Sequence, residues 1–212
     1  MAPPASAQEF QSSSPWYLEA GAGLSFADDA PGAFDGEVNY DDGFSLHGAL
    51  GRRLFDFRDD GRLGLSAELE YFYNEVDIVG TDFSAVQVSD ATGLTTGSVL
   101  VNAVLDWDMS ETVTFHLGLG AGLATSIDID SAGNASESFK NEDDTAFAMQ
   151  VRAGFSYQLG DYENFRFVAG YRWFRTEDIG LVETGDPLGG PETFDLEYQV
   201  HSLEVGMRWK AF

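Results

Sequence analysis

Three groupings of side chains in this sequence have residue types from which a chemical site is made. His201-Ser202 with Glu204 offers a base, a nucleophile and an orienting acid. On a regular strand His201 and Ser202 point to opposite faces, so only a bulge near Val200 would pair them, and we expect no catalytic residue. Asp128-Ile129-Asp130-Ser131-Ala132-Gly133-Asn134 offers oxygen ligands spaced as at the start of a calcium loop. The later acidic ligand is missing and Gly133 is displaced by one, so the expectation shrinks to a weak divalent-cation contact at Asp128 and Asp130. The third grouping is a set of charges at strand spacing: Glu19, Glu68, Glu70, Asp106, Arg152, Arg166, Arg172, Glu204 and Arg208. Three scattered histidines (His47, His116, His201) and no cysteine argue against a transition-metal site, and no cofactor is expected.

What positions such groups depends on the class of the chain. Its 212 residues carry a formal charge of -25, which excludes nucleic acid as a partner because phosphate binding needs a basic surface. A chain this acidic can be disordered, but 43% hydrophobic and 14% aromatic residues indicate one that packs. No apolar run approaches the roughly 20 residues of a spanning helix. Residues 1–14 read as a disordered leader or a signal-peptide remnant, with Ala5-Ser6-Ala7 resembling a cleavage site, and residues 15–212 as one domain.

Along that domain the hydrophobic period is two. Eight segments alternate apolar with small or polar residues, near 16–26, 44–51, 63–74, 98–107, 114–123, 147–158, 165–174 and 202–211. Most are 10–12 residues long, the length of a tilted strand that crosses a bilayer, whereas soluble strands average about 5–6. The apolar face carries Trp16, Tyr71, Tyr73, Trp107, Tyr157, Tyr171, Trp173 and Trp209 near segment ends, as interfacial aromatic girdles do. The other face is rich in Gly, Ala and Ser, which suits a narrow lumen. The pattern predicts an all-β, eight-stranded, antiparallel, up-and-down transmembrane β-barrel with its apolar face outward.

The connections alternate. Long ones are expected at 27–42, 77–95, 126–144 and 176–197, and short ones near 55–61, 108–111 and 160–164. The long set holds 22 of the 36 acids and one base, Lys140. Four long acidic loops on one side and three turns on the other would place both termini in the periplasm and the loops outside the cell.

The opening Pro15-Trp16-Tyr17-Leu18-Glu19-Ala20-Gly21-Ala22-Gly23-Leu24-Ser25-Phe26 resembles the first strand of the small outer-membrane β-barrel family, the opacity/OmpA-like and OmpW-like porin group. Leu203-Glu204-Val205-Gly206-Met207-Arg208-Trp209-Lys210-Ala211-Phe212 resembles its closing strand. The resemblance implies a Gram-negative outer membrane, with outer-membrane lipid, lipopolysaccharide and the barrel-assembly machinery as partners. The family usually has an aromatic two places before the terminal Phe, and here Trp209 stands three places before Phe212.

Inside such a barrel the nine charges of the third grouping must pair, because an unpaired buried charge is costly. Glu19 is expected beside Glu204 and Arg208, and Glu68 and Glu70 toward Asn102. Arg152 and Arg172 are expected to reach across space left by glycines. The expected function is a structural and surface-interaction barrel with a charge-plugged lumen, whose acidic loops meet divalent cations or cationic surface ligands. The alternatives are a narrow porin-like channel for small solutes and, less so, an outer-membrane lipid-modifying enzyme. In the plugged case, emptying position 152 or 172 would raise conductance.

Overall fold

The structure, a computed structural model, describes residues 16–28, 30–31, 37–57, 61–81, 92–130, 138–141, 145–160, 162, 164–184 and 192–210. Eight long strands form one closed antiparallel sheet: β1 (Trp16–Ala27), β4 (Gly43–Asp56), β5 (Leu63–Thr81), β6 (Thr92–Asp108), β7 (Val113–Asp130), β9 (Ala146–Gln158), β10 (Phe165–Thr184) and β11 (Glu192–Lys210). Each pairs with the next in that order, and β11 pairs with β1 to close the ring. Three short strands decorate one end: β2 (Ala30–Pro31) pairs with β3 (Glu37–Tyr40), β3 with β5, and β8 (Ser138–Asn141) with β10. The predicted leader and terminal Phe212 lie outside the described residues, as do many of the loop acids.

The register sets the tilt. Hydrogen-bonded neighbours run from Leu18 through Leu50, Leu69, Val101, Ala121, Met149 and Arg175 to Gln199. The Gln199 carbonyl then accepts the amide of Asp28 at 3.0 Å. One circuit therefore climbs ten positions, from 18 to 28. With eight strands at standard spacings this gives a tilt of about 40° and a backbone radius of about 8 Å. An interior that narrow is filled by side chains, and it selects small residues wherever a long one crosses.

Alternation holds strand by strand. On β5, Ser66, Glu68, Glu70, Phe72, Asn74 and Val76 are buried in the lumen, while Leu69 and Tyr71 are exposed. Outside, Leu18, Leu24, Leu46, Val101, Leu119, Leu203 and Val205 present an apolar surface. It is edged at the short-turn end by Trp16, Trp107, Tyr157 and Trp209, and at the other by Tyr71, Tyr73, Tyr171 and Trp173. From Trp209 to His201, which pairs with Trp173, is eight residues along β11. That is about 26 Å along the strand, or about 20 Å along the normal at this tilt, close to the apolar band of outer-membrane barrels.

The short turns are built as their residues dictate. Gly61 and Gly160 take positive φ (65° and 52°), where a side chain would be strained. Between β6 and β7 the Ser110 hydroxyl accepts the Val113 amide at 3.1 Å.

At the far end the long connections are shorter than their sequence suggests. β5 continues to Thr81, β7 to Asp130 and β10 to Thr184, and β6 and β11 begin at Thr92 and Glu192. Antiparallel hairpins go on pairing beyond the aromatic edge, because each added rung satisfies backbone groups that a loop would leave to water. Acids assigned to loops, among them Asp77, Asp128, Asp130, Glu177, Asp178, Glu183, Glu192 and Asp195, therefore stand on strands.

Candidate functional site

The lumen is stratified, and the strata follow from the period of two. The central layer is charged. Arg172 on β10, fully buried, places Nε 2.7 Å from Glu204 Oε1 and Nη2 2.6 Å from Glu70 Oε1, and donates to Gln150 as well. Arg152 on β9 pairs closely with Glu68 and reaches Glu70 at 3.5 Å and Glu19 at 3.7 Å. Arg208 on β11 bonds Glu19 at 2.6 Å and stands 3.4 Å from Asp106 and 3.5 Å from Glu68. The three guanidiniums thus link five carboxylates from β1, β5, β6 and β11 into one network. Glu70 also accepts Asn102 and Gln150 amides at 2.6 Å each.

Glycines make the crossings possible. A Cβ on Gly120 would lie 1.9 Å from Asn102 Oδ1 and 2.9 Å from Gln150 Cγ, so that position must be bare for the amide pair to meet.

Glu19 meets Arg208 and Glu68 and Glu70 meet Asn102, as anticipated, and Arg152 and Arg172 reach across the lumen. Glu204, expected beside Glu19, pairs with Arg172. Arg166 departs from the expectation. It is buried and faces inward, but it bonds the hydroxyls of Thr114 at 2.5 Å and Ser156 at 3.4 Å, with no carboxylate among its described partners. The reason is its level: it sits near the short-turn end, below the reach of Glu19 and Glu68.

Three further side chains join the network, the inward-facing His47 and His116 and also Tyr17, which was not singled out from sequence. Tyr17 donates to Glu68 at 2.7 Å and lies under the Arg208 guanidinium, 4.3 Å from its ring centre. His116 meets Asp106 at 2.6 Å, and His47 stands 3.6 Å from both Glu19 and Glu204. Inward parity identified all of these as lumen residues, but parity does not reveal which levels coincide across the axis. A cavity of about 40 Å³ between His47, His116, Glu19, Arg152, Glu204 and Arg208 has room for roughly three water molecules.

Toward the long-connection end the next inward position on β5, β6, β9, β10 and β11 turns apolar. Glu70 is followed by Phe72, Arg172 by Phe174, and Asn102, Gln150 and Ser202 are preceded by Leu100, Ala148 and Val200. These form a buried cluster, with Phe72 and Phe174 rings 5.0 Å apart and Arg172 4.2 Å over Phe72. Beyond Phe72 on β5, Asn74 takes the Tyr198 hydroxyl and donates to Ser25 at 2.6 Å.

His201 and Ser202 do occupy opposite faces. Ser202 is buried against Ser25, whereas His201 stands outside between Tyr171 and Asp28, with Nε2 3.1 Å from the carboxylate. Asp28 is held in turn by Gln199, so the group clasps the β1–β11 seam. The calcium-loop expectation meets a different backbone: Asp128 and Asp130 are extended and paired with Thr95 and Gly93, not folded in a turn, and their side chains lie outside those described.

Comparisons with known proteins agree with this architecture. The family model described as "Outer membrane protein beta-barrel domain" matches residues 1–210. Among solved structures, the crystal structure of Neisserial surface protein A superposes with a TM-score of 0.57 at 20% identity, covering 93% of this chain and 98% of that one. The outer membrane protein OprG from Pseudomonas aeruginosa gives 0.55 at 16% identity, covering 94% and 97%. The outer membrane protein AlkL, solved by solid-state NMR in lipid bilayers, gives 0.51 at 14% identity, covering 100% and 98%. Identities this low speak for the fold alone. No curated protein sequence matches the chain.

Proposed function

Because this chain belongs to the outer membrane protein β-barrel domain family of the bacterial outer membrane, we propose that it works as a closed structural barrel that displays an acidic surface to the cell exterior. The observation that carries this reading is Arg172, fully buried and bridging Glu70 and Glu204 across the lumen, directly beneath the Phe72–Phe174 layer. A hydrated ion would have to break a desolvated ion-pair network and then pass an apolar constriction, and each step opposes permeation.

In this reading the short turns and both termini face the periplasm and the acidic hairpins face outward. Outer-membrane lipid and lipopolysaccharide surround the apolar band, and the barrel-assembly machinery inserts the chain. Divalent cations or cationic surface ligands are the partners that the acidic hairpins attract, with an affinity that falls as salt rises. The test is planar-bilayer conductance of the refolded protein in high salt. A folded barrel that stays silent is the expected result. Stable discrete steps in the wild type would overturn the closed lumen in favour of a narrow conduit.

A further inference from the structure

We propose that the short-turn mouth of the barrel is a binding site for small oxyanions of the phosphate class, built on Arg166 and Lys210. The inward positions at this level include Arg53, Asp108, Thr114, Ser156, Arg166 and Lys210, with Asp56 beside Arg53 at the rim. Both carboxylates of the layer lean on Arg53: Asp56 at 2.5 Å and Asp108 at 4.0 Å. Arg53 also donates to the Gly61 carbonyl at 2.8 Å, which completes its fork.

Arg166 and Lys210 are left over. Arg166 is 8% exposed, its Nη1 is satisfied by the neutral hydroxyls of Thr114 and Ser156, and its Nε has no partner. Among the described residues no carboxylate pairs with either cation. Lys210 is brought beside the β10 start by its amide, which donates to Asn164 at 2.8 Å, and it faces the charges of Arg166, Arg53 and Arg208 as well as Asp108. Arg166 is also directly opposite Arg208 in the ladder. Like charges so placed repel, and Asp108, the opposite charge that acts on both cations, makes an ion pair with neither.

An anion at the mouth answers both problems. The guanidinium presents a planar fork that matches two oxygens of a phosphate or phosphodiester. The Lys210 ammonium supplies a third donor. Deeper in the lumen the arginines are already taken by Glu19, Glu68, Glu70 and Glu204, so an entering anion stops here. Asp108, linked through Thr114 to Arg166, opposes the ligand and weakens its binding.

The experiment uses the full chain refolded in a neutral maltoside detergent, with amide chemical shifts followed during titration with inorganic phosphate at constant ionic strength. Saturable shifts confined to the short-turn ends of β7, β9, β10 and β11 are expected. Lys210→Gln should weaken binding about tenfold, the weight of one hydrogen bond to a charged group, Arg166→Gln should weaken it more because two bonds are lost, and Asp108→Asn should tighten it. Arg166→Lys, which keeps the charge and loses the fork, should fall between and serves if the Gln variant does not fold. Shifts that do not saturate, that chloride reproduces, or that saturate at the same phosphate concentration in Lys210→Gln would overturn the site. A second arm uses bilayer nanodiscs. Amides already shifted before phosphate is added identify a lipid phosphodiester as the occupant, and amides that still respond identify a free anion. Absence of both responses sinks the proposal.

Discussion

Arg172 and Glu70 are 102 residues apart in the chain and 2.6 Å apart in the barrel. They belong to β10 and β5, which do not pair with each other, so the contact runs through the lumen rather than along the wall. Removing the guanidinium takes from Glu70 and Glu204 their closest cation and leaves Glu70 with Arg152 alone, at 3.5 Å. Arg172→Met should cost about 3–5 kcal/mol of stability, the range for breaking a buried ion pair. Urea unfolding in lipid vesicles checks it. Adding Glu70→Gln and Glu204→Gln to the same chain should recover much of the loss, because the penalty lies in the orphaned charges.

Conductance should follow the strata rather than any single residue. Arg152→Ala or Arg172→Ala widens the charged layer but leaves Phe72 and Phe174 in place, so either alone should raise conductance little. Arg172→Ala combined with Phe72→Ala and Phe174→Ala should give stable open steps. A large single-channel current from Arg172→Ala alone would show that the apolar layer does not close the lumen.

Two glycine substitutions separate packing from backbone effects. Gly120→Ala forces Asn102 away from Gln150 and should destabilise the barrel by about 1–3 kcal/mol, as overpacking does. At Gly48 an added Cβ meets nothing within 4 Å. Gly48→Ala should therefore be neutral or gain up to about 1 kcal/mol by restricting the unfolded chain. Equal effects at the two positions in an unfolding titration would count against a tightly filled lumen.

The aromatic edges predict depth. In single-tryptophan variants, Trp16, Trp107 and Trp209 should respond to quenchers confined to one leaflet and Trp173 to quenchers confined to the other. All four should be quenched better by lipids labelled near the headgroup than by lipids labelled at the chain ends. A tryptophan quenched best from the bilayer centre would displace the proposed membrane band.

The wall of this barrel was legible because a strand's side chains alternate with no freedom: once Leu69 and Tyr71 are placed outside, Glu68, Glu70 and Phe72 must be inside. The pairing partners within the lumen were legible only where strands are adjacent, as for Glu19 and Arg208 on β1 and β11. Across the axis, contact depends on the ten-residue climb of the register, which hydropathy does not encode. That is why Arg166 was grouped with the central charges although it lies a layer below them. The same gap hid the apolar cluster, since Phe72, Leu100 and Phe174 read individually as lumen residues and become a layer only when their levels are known. The hairpin extensions were missed for another reason: above the membrane both faces of a strand meet water, and the alternation that marks a strand weakens.

The seam between β1 and β11 carries a consequence for how the molecule comes into being. Glu19 bonds Arg208 across 189 positions of sequence, and Leu18 pairs with Trp209. The first strand therefore waits for the last. No subset of hairpins is a finished object, because any shorter sheet exposes two unpaired edges to lipid. With ring closure and the central ion pairs both dependent on the final strand, assembly should be slow and cooperative, as it is in folds dominated by distant contacts. Loss of a few residues from β11 should leave an aggregation-prone open sheet rather than a slightly weaker barrel.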